Sequence, residues 1–266
     1  RQPARKEMSE STGRVADATG NWVDSLAPSY TRPYLRLARL DRPIGSWLLL
    51  MPCWWSVGLT GMYNDHFPSS WHIVQFFIGA FAMRGAGCTW NDLVDRDLDG
   101  RVERTRSRPI PSGQVTVAQA TMFMVALALV GFLVLIQFNR FTVATGIASL
   151  LVVVIYPFMK RITYWPQIFL GLAFSWGALM GWPTTFGRLD WPAIVLYAGS
   201  TLWVIGYDTI YAHQDRDDDL LIGVKSTALL FGDRTPTMLA TCYAGAIVLI
   251  AAAGFMVFEG LLAARK

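Results

Sequence analysis

Seven long apolar runs alternate with polar segments along the chain, at about 44–62, 71–90, 117–138, 141–158, 165–183, 191–211 and 237–258. Each is near the roughly 20 residues that a helix needs to cross the hydrocarbon core of a bilayer. Backbone polar groups find no water there, so the runs predict helices rather than irregular chain. The pattern therefore predicts an all-α, polytopic transmembrane helical bundle of about seven spans over 34–266, behind a flexible polar leader at 1–33. At the start of that domain, "YTRPYLRLARLDRPIGS" sets Leu35, Leu37 and Leu40 among Arg36, Arg39 and Arg42. That arrangement predicts a short basic amphipathic helix lying on the membrane surface.

Composition agrees: 53% of the 266 residues are hydrophobic and only 16% are charged, well below the quarter or so typical of soluble domains. The distribution of basic residues carries more information than their total. The N-terminal segment and the loops near 91–116, 159–164 and 207–236 all lie on one side of the predicted bundle. Together they hold 18 of the 23 Lys and Arg residues. The positive-inside rule assigns that side to the cytoplasm or the matrix. The basic excess is thus an orientation signal and calls for no nucleic acid. Cys53, Cys88 and Cys242 lie in apolar runs at no metal-like spacing, so they read as small buried hydrophobes.

The polar ends of the even-numbered runs are unusual. They read "NDLVDRDLDGRVERTRSRPIPSG" (91–113), "YPFMKRITYWPQ" (156–167) and "YDTIYAHQDRDDDLLIGVKSTA" (207–228), all on the basic side. If the second helix continues beyond its apolar run, Asn91, Asp95 and Asp99 recur at i, i+4 and i+8 and share a face. In the third segment Asp208, Asp215 and Asp219 are spaced by seven and four. Carboxylates on one stripe repel each other unless a cation sits among them. Hard oxygen ligands facing a cavity suit Mg²⁺, which bridges readily to phosphates. Arg104, Arg106, Arg108, Lys160, Arg161 and Lys225 flank the acids and would meet phosphate oxygens.

Other readings compete. A solvated acidic loop explains one cluster more easily than two on the same membrane side. An EF-hand is suggested by Asp95-x-Asp97-x-Asp99-Gly100, but its twelfth position is Arg106, where a bidentate Glu is required. A multispan cation carrier would use the aspartates as a gate, although such acids usually sit nearer the membrane midplane. His66 and His72 fall on the opposite side, and His213 reads as a packing or orienting residue. No nucleophile–base pairing and no Gly-rich nucleotide loop is evident.

The segments "RLDRPIGSWLLLMPCWWS", "MRGAGCTWNDLVDRDLDGRVERTRSRPIPSG", "YPFMKRITYWPQ" and "YDTIYAHQDRDDDLLIGVKSTALLFG" resemble the UbiA family of membrane prenyltransferases, from about 34 to 232. The resemblance implies a helical bundle around a lipid-open cavity capped by both aspartate motifs. It also implies Mg²⁺-dependent transfer of a polyprenyl group from polyprenyl diphosphate to the ring of 4-hydroxybenzoate, ortho to the hydroxyl, or to another aromatic acceptor. Asn91, Asp92, Asp95 and Asp99 match the first metal motif, and Asp215 and Asp219 the second. Lys160 and Arg161 match the basic pair that meets diphosphate and the acceptor's carboxylate, and Asp208 matches the acid at the acceptor's phenol. Arg108 and Lys225 would be further diphosphate contacts. By resemblance the site lies in the mitochondrial inner membrane, with the N-terminus and active-site loops on the matrix side. Association with other ubiquinone-biosynthesis enzymes is a further implication. Family members continue with more spans after the seventh, so the C-terminal spans are expected to be missing from this chain, which stops at "GLLAARK".

Overall fold

A computed structural model describes residues 20–101 and 105–265. The described residues are helical and contain no strand. The long helices are α1 (Ile44–Tyr63), α2 (Ser70–Asp99), α3 (Val117–Leu135), α4 (Arg140–Ile162), α5 (Pro166–Ser175), α6 (Trp191–Ala212) and α7 (Thr235–Ala264). By length and composition, α3, α4, α6 and the stretch Thr227–Ala264 that contains α7 are apolar enough to cross a membrane. The starts are set by side chains. Ser69 accepts from the His72 amide, Asn139 accepts from the Thr142 amide, and Thr116 with Gln119 forms a reciprocal capping box, which satisfies amides that the first turn leaves without partners.

The main packing pairs are α6 along α7 and α2 along α3, with α1 against α2 and α5 against α6. Val204, on α6, is fully buried with Leu170 and Phe174 of α5. The outward faces of α3, α4 and α7 instead present Met122, Leu133, Leu151, Ile247 and Phe255. A soluble protein seldom leaves so much contiguous apolar surface bare. Acyl chains would cover it.

The fifth apolar run is not one continuous helix. It is divided into α5, Gly177–Gly181 and Pro183–Phe186, with Trp176 and Trp182 at the joints. Pro183 has no amide to donate into the preceding turn. Gly181 lies so close to α1 that an added Cβ would stand 2.9 Å from the Cys53 carbonyl oxygen. Ser56 Oγ donates to the Ala178 carbonyl at 2.7 Å, and Trp176 Nε1 donates to the Thr145 carbonyl at 2.9 Å. These contacts hold the interrupted segment between α1 and α4.

The basic N-terminal segment differs from its expectation. Its helix, Arg32–Leu37, is docked on protein. Leu37 is fully buried with Ile110, Val115 and Ala120, and Tyr34 meets the Phe123 ring edge-on. Three leucines among arginines describe an amphipathic surface but do not say whether lipid or protein covers it. Part of the stretch assigned to the leader is also folded: Val23 is fully buried and Trp22 Nε1 donates to the Leu40 carbonyl at 2.8 Å. The leader's residues 1–19 lie outside the described residues.

Candidate active site

The second helix runs nine residues past its predicted apolar end, to Asp99, and so carries the whole first acidic motif. Four cations from three other segments converge on it. Arg39, held at φ 56°, reaches back to the fully buried Asp92 at 2.7 and 3.0 Å. Arg108 Nη1 bonds both Asp99, at 2.7 Å, and Asp92, at 3.2 Å. From the end of α4, Lys160 pairs with Asp95, and Arg161 bonds the other Asp95 oxygen at 3.2 Å and the Val94 carbonyl at 3.0 Å. The acid on this oily helix is therefore balanced by guanidinium and ammonium groups.

Burial pushes the Asp99 carboxyl above the usual carboxylate range, against the pull of Arg108. For Arg108 burial acts downward, but the carboxylates of Asp92 and Asp99 outweigh it and leave the guanidinium raised. Both shifts express charges taken out of water and held by each other.

The second acidic segment is tied to α4 and α5. After α6 the chain makes the turn His213–Asp215 and the helix Arg216–Ile222, then reverses at Gly223, φ +75°. The Lys225 amide donates to the Lys160 carbonyl at 2.8 Å, and its ammonium to the Ile162 carbonyl at 3.0 Å. The Thr227 amide donates to Gln167 Oε1 at 3.1 Å. His213 Nε2 lies 3.1 Å from Thr235 Oγ1, in keeping with an orienting role.

Two cavities result. The smaller, about 270 Å³, has Asn91, Asp99, Arg108, Lys160, Asp208, Asp219 and Lys225 in its wall. The larger, about 410 Å³, is mainly apolar, with Phe76, Met83, Phe138 and Phe174 among its lining residues. Asn91, Arg108 and Tyr156 belong to both walls, so a charged chamber adjoins an oily one.

Seven of the residues singled out in the sequence thus share one chamber. Asp92, Asp95 and Arg161 line neither cavity. Asp92 and Asp95 are fully buried beneath their cations, and Arg161 has a side chain 42% exposed. Arg106 is exposed. Arg104 lies outside the described residues, as does the side chain of Asp215, whose backbone closes the turn His213–Asp215. Arg39, Tyr156 and Gln167 also line these walls, and their sequence context does not mark them as site residues. Only Arg84, a charge inside an apolar run, gave a signal that the sequence alone could have used.

No three described His, Cys, Asp or Glu side chains are grouped to hold one metal ion, because the first-motif carboxylates face cations. The oxygen donors in the chamber wall, Asn91, Asp99 and Asp219, nonetheless suit Mg²⁺ chemically. Their neighbours Arg108, Lys160 and Lys225 suit the phosphate that such an ion accompanies.

Comparison with known proteins fits this geometry. Residues 49–264 match the UbiA prenyltransferase family. The chain is 48% identical over 249 residues to the mitochondrial 4-hydroxybenzoate polyprenyltransferase of Rattus norvegicus, covering 90% of this chain and 65% of the relative. It is 50% identical over 226 residues to that of Aedes aegypti, covering 85% and 51%. The chain thus spans about half to two thirds of the length of these relatives. Two solved structures share the fold. A UbiA homologue from Archaeoglobus fulgidus bound to GPP and Mg²⁺ has a TM-score of 0.64 at 20% identity, covering 86% of this chain and 84% of that one. One from Aeropyrum pernix has 0.64 at 24%, covering 78% and 79%.

Proposed function

The chain belongs to the UbiA prenyltransferase family, and from that premise we propose that it transfers a polyprenyl group from polyprenyl diphosphate to the ring of 4-hydroxybenzoate, ortho to the hydroxyl. The observation that carries the reading is the charged chamber that adjoins the apolar one through Asn91, Arg108 and Tyr156. A prenyl diphosphate has the same division into an anionic head and an oily tail. Names of relatives supply the acceptor, and the ligands of the Archaeoglobus fulgidus homologue supply the donor class and the metal.

Arg108, Lys160 and Lys225 would take the diphosphate oxygens and stabilise the charge that builds as the allylic C–O bond breaks. Mg²⁺, held among Asn91, Asp95, Asp99, Asp215 and Asp219, would neutralise the diphosphate and make it a better leaving group. Cations drawn towards the diphosphate leave their carboxylates free for such an ion. Asp92, between Arg39 and Arg108, would hold these parts in place. The chain's phenylalanine-lined wall keeps water from the allylic cation, which water would otherwise trap as an alcohol. Asp208 would accept the phenol proton, or bond the hydroxyl, and so direct electron density to the ortho carbon. The new C–C bond forms there and the ring then loses its proton. For the acceptor's carboxylate the chain offers Arg161, at the end of α4, and Arg84, in the wall of the larger cavity. We further place the chain in the mitochondrial inner membrane with its N-terminus and acidic loops on the matrix side, which the crowding of Lys and Arg there supports.

The test is incubation of membranes holding the protein with radiolabelled polyprenyl diphosphate, Mg²⁺ and 4-hydroxybenzoate. Labelled product prenylated ortho to the hydroxyl is expected. Absence of prenylated product with every aromatic acceptor tried would refute the reading and favour a carrier.

A further inference from the structure

Gln167 is the second residue of α5 (Pro166–Ser175) and lies in the wall of the charged chamber, only 5% exposed. Its Oε1 accepts the Thr227 amide at 3.1 Å. A backbone amide can only donate, so this bond fixes which way round the carboxamide sits. The carbonyl end faces Thr227, and Nε2 keeps two protons to donate. That nitrogen makes no hydrogen bond among the described residues. In a residue so buried, such a donor calls for an acceptor in the chamber.

The bond to Thr227 is itself anchored. Thr209 Oγ1 donates to the Ile205 carbonyl at 2.7 Å, so Thr227 is the donor in the 2.7 Å contact between the two threonine hydroxyls. Both threonines are fully buried, and Thr209 follows Asp208 on α6. Gln167, Thr227 and Thr209 thus link α5 to α6 through the segment that carries Lys225. α5 also starts without a side-chain cap. Its opening residues, Pro166 and Gln167, both line the chamber, so the positive end of the helix faces it.

We infer that Gln167 binds an oxygen of the diphosphate through Nε2, as a neutral donor beside Lys160 and Lys225, an inference that rests on the prenyl-transfer reading above. The Lys225 amide bonds the Lys160 carbonyl at 2.8 Å, which ties both lysines to the segment that orients Gln167. An ammonium attracts phosphate as a point charge on a flexible stem. A carboxamide held at its carbonyl end instead offers its protons in one fixed direction. Gln167 therefore sets where the head group stops, and with it the place of the allylic carbon relative to Asp208. The acceptor's phenol needs a group that takes its proton, the part that Asp208 plays. A pure donor suits the diphosphate, which at this position only accepts.

The experiment measures binding of inorganic pyrophosphate, with Mg²⁺, to the purified protein by titration calorimetry, for wild type, Gln167→Met, Gln167→Glu and Thr227→Val. Gln167→Met keeps the length of the side chain and removes both its donor and its acceptor. Gln167→Glu can still accept the Thr227 amide but puts an acceptor where the donor stood. Thr227→Val keeps that amide and breaks only the link to Thr209. Gln167→Met and Gln167→Glu should each weaken pyrophosphate binding by about 10- to 100-fold, the worth of hydrogen bonds to a charged group. Thr227→Val should lower Tm while changing pyrophosphate affinity far less. In protein carrying ¹⁵N-labelled glutamine, the side-chain amide signal that Gln167→Glu lacks should move downfield with Mg²⁺ and pyrophosphate, and stay in place with 4-hydroxybenzoate alone. Wild-type affinity in Gln167→Met, an unmoved amide signal, or a loss in Thr227→Val as large as in Gln167→Met overturns the assignment. If Gln167→Met does not fold, wild-type affinity in Gln167→Glu overturns it equally. A wild type that binds no pyrophosphate overturns the prenyl diphosphate reading of the chamber together with the role of Gln167.

Discussion

Replacing Asp92 with asparagine keeps the shape of a fully buried side chain and removes its charge. In the native protein that carboxylate receives Arg39 at 2.7 and 3.0 Å and Arg108 at 3.2 Å. The two guanidinium side chains are only 13% and 14% exposed, so water can do little to replace the lost charge. Arg108 would keep Asp99 at 2.7 Å, whereas Arg39 would keep no carboxylate. Removing one partner of a buried pair typically costs about 3–5 kcal/mol. The surviving Asp99 contact and the remaining asparagine carbonyl place Asp92→Asn near the lower end, about 3 kcal/mol. For a chain of this size that corresponds to a fall in Tm of about 6–12 °C. The assay is thermal unfolding of purified protein in one detergent at one scan rate, followed by tryptophan emission. Adding Arg39→Gln should recover part of the loss, because the stranded cation is then gone. Native-like melting in Asp92→Asn, with turnover lost, would refute the structural role and make Asp92 a direct ligand.

Two contrasting perturbations follow from the same structure. Asp208 has no described ion pair to strip, so Asp208→Asn should leave Tm within about 2 °C, a change under 1 kcal/mol, while lowering turnover about 10²-fold or more; steady-state rates and melting curves read both. At the α1 contact, a Cβ on Gly181 would lie 2.5 Å from the Ser56 Cβ and 2.9 Å from the Cys53 carbonyl oxygen. Gly181→Ala should therefore cost about 1–3 kcal/mol by overpacking. Gly58→Ala meets nothing within 4 Å and should stabilise α1 by about 0.5–1 kcal/mol. Equal melting temperatures for these two variants would remove the close approach as the cause.

Much of the fold can be read from hydrophobic run length, because lipid forces the backbone to satisfy itself within each span. All seven runs are helical in the structure. The break in the fifth run is hidden from the sequence because Gly177 and Gly181 act through Cys53 and Ser56, more than a hundred residues away. The i, i+4, i+8 spacing placed Asn91 and Asp99 in one wall, since both lie on one continuous helix. It did not foresee that Asp95 turns under Lys160 and Arg161, or that Asp92 meets Arg39 across 53 residues. That pairing depends on a left-handed backbone at Arg39, and nothing in an arginine-rich stretch announces such a turn. In the sequence the basic excess points to membrane orientation and to phosphate contacts. Part of it also serves as internal counter-charge.

The central claim is that the acid clusters at the end of α2 and after α6 wall one chamber and hold one metal–diphosphate. The most direct measurement replaces Mg²⁺ with Fe²⁺, in the presence of inorganic pyrophosphate, and maps where ascorbate and peroxide cut the chain beside the bound ion. The account predicts cuts at both 91–99 and 215–219, suppressed together by excess Mg²⁺. Cutting at one cluster alone, or at neither, would contradict it.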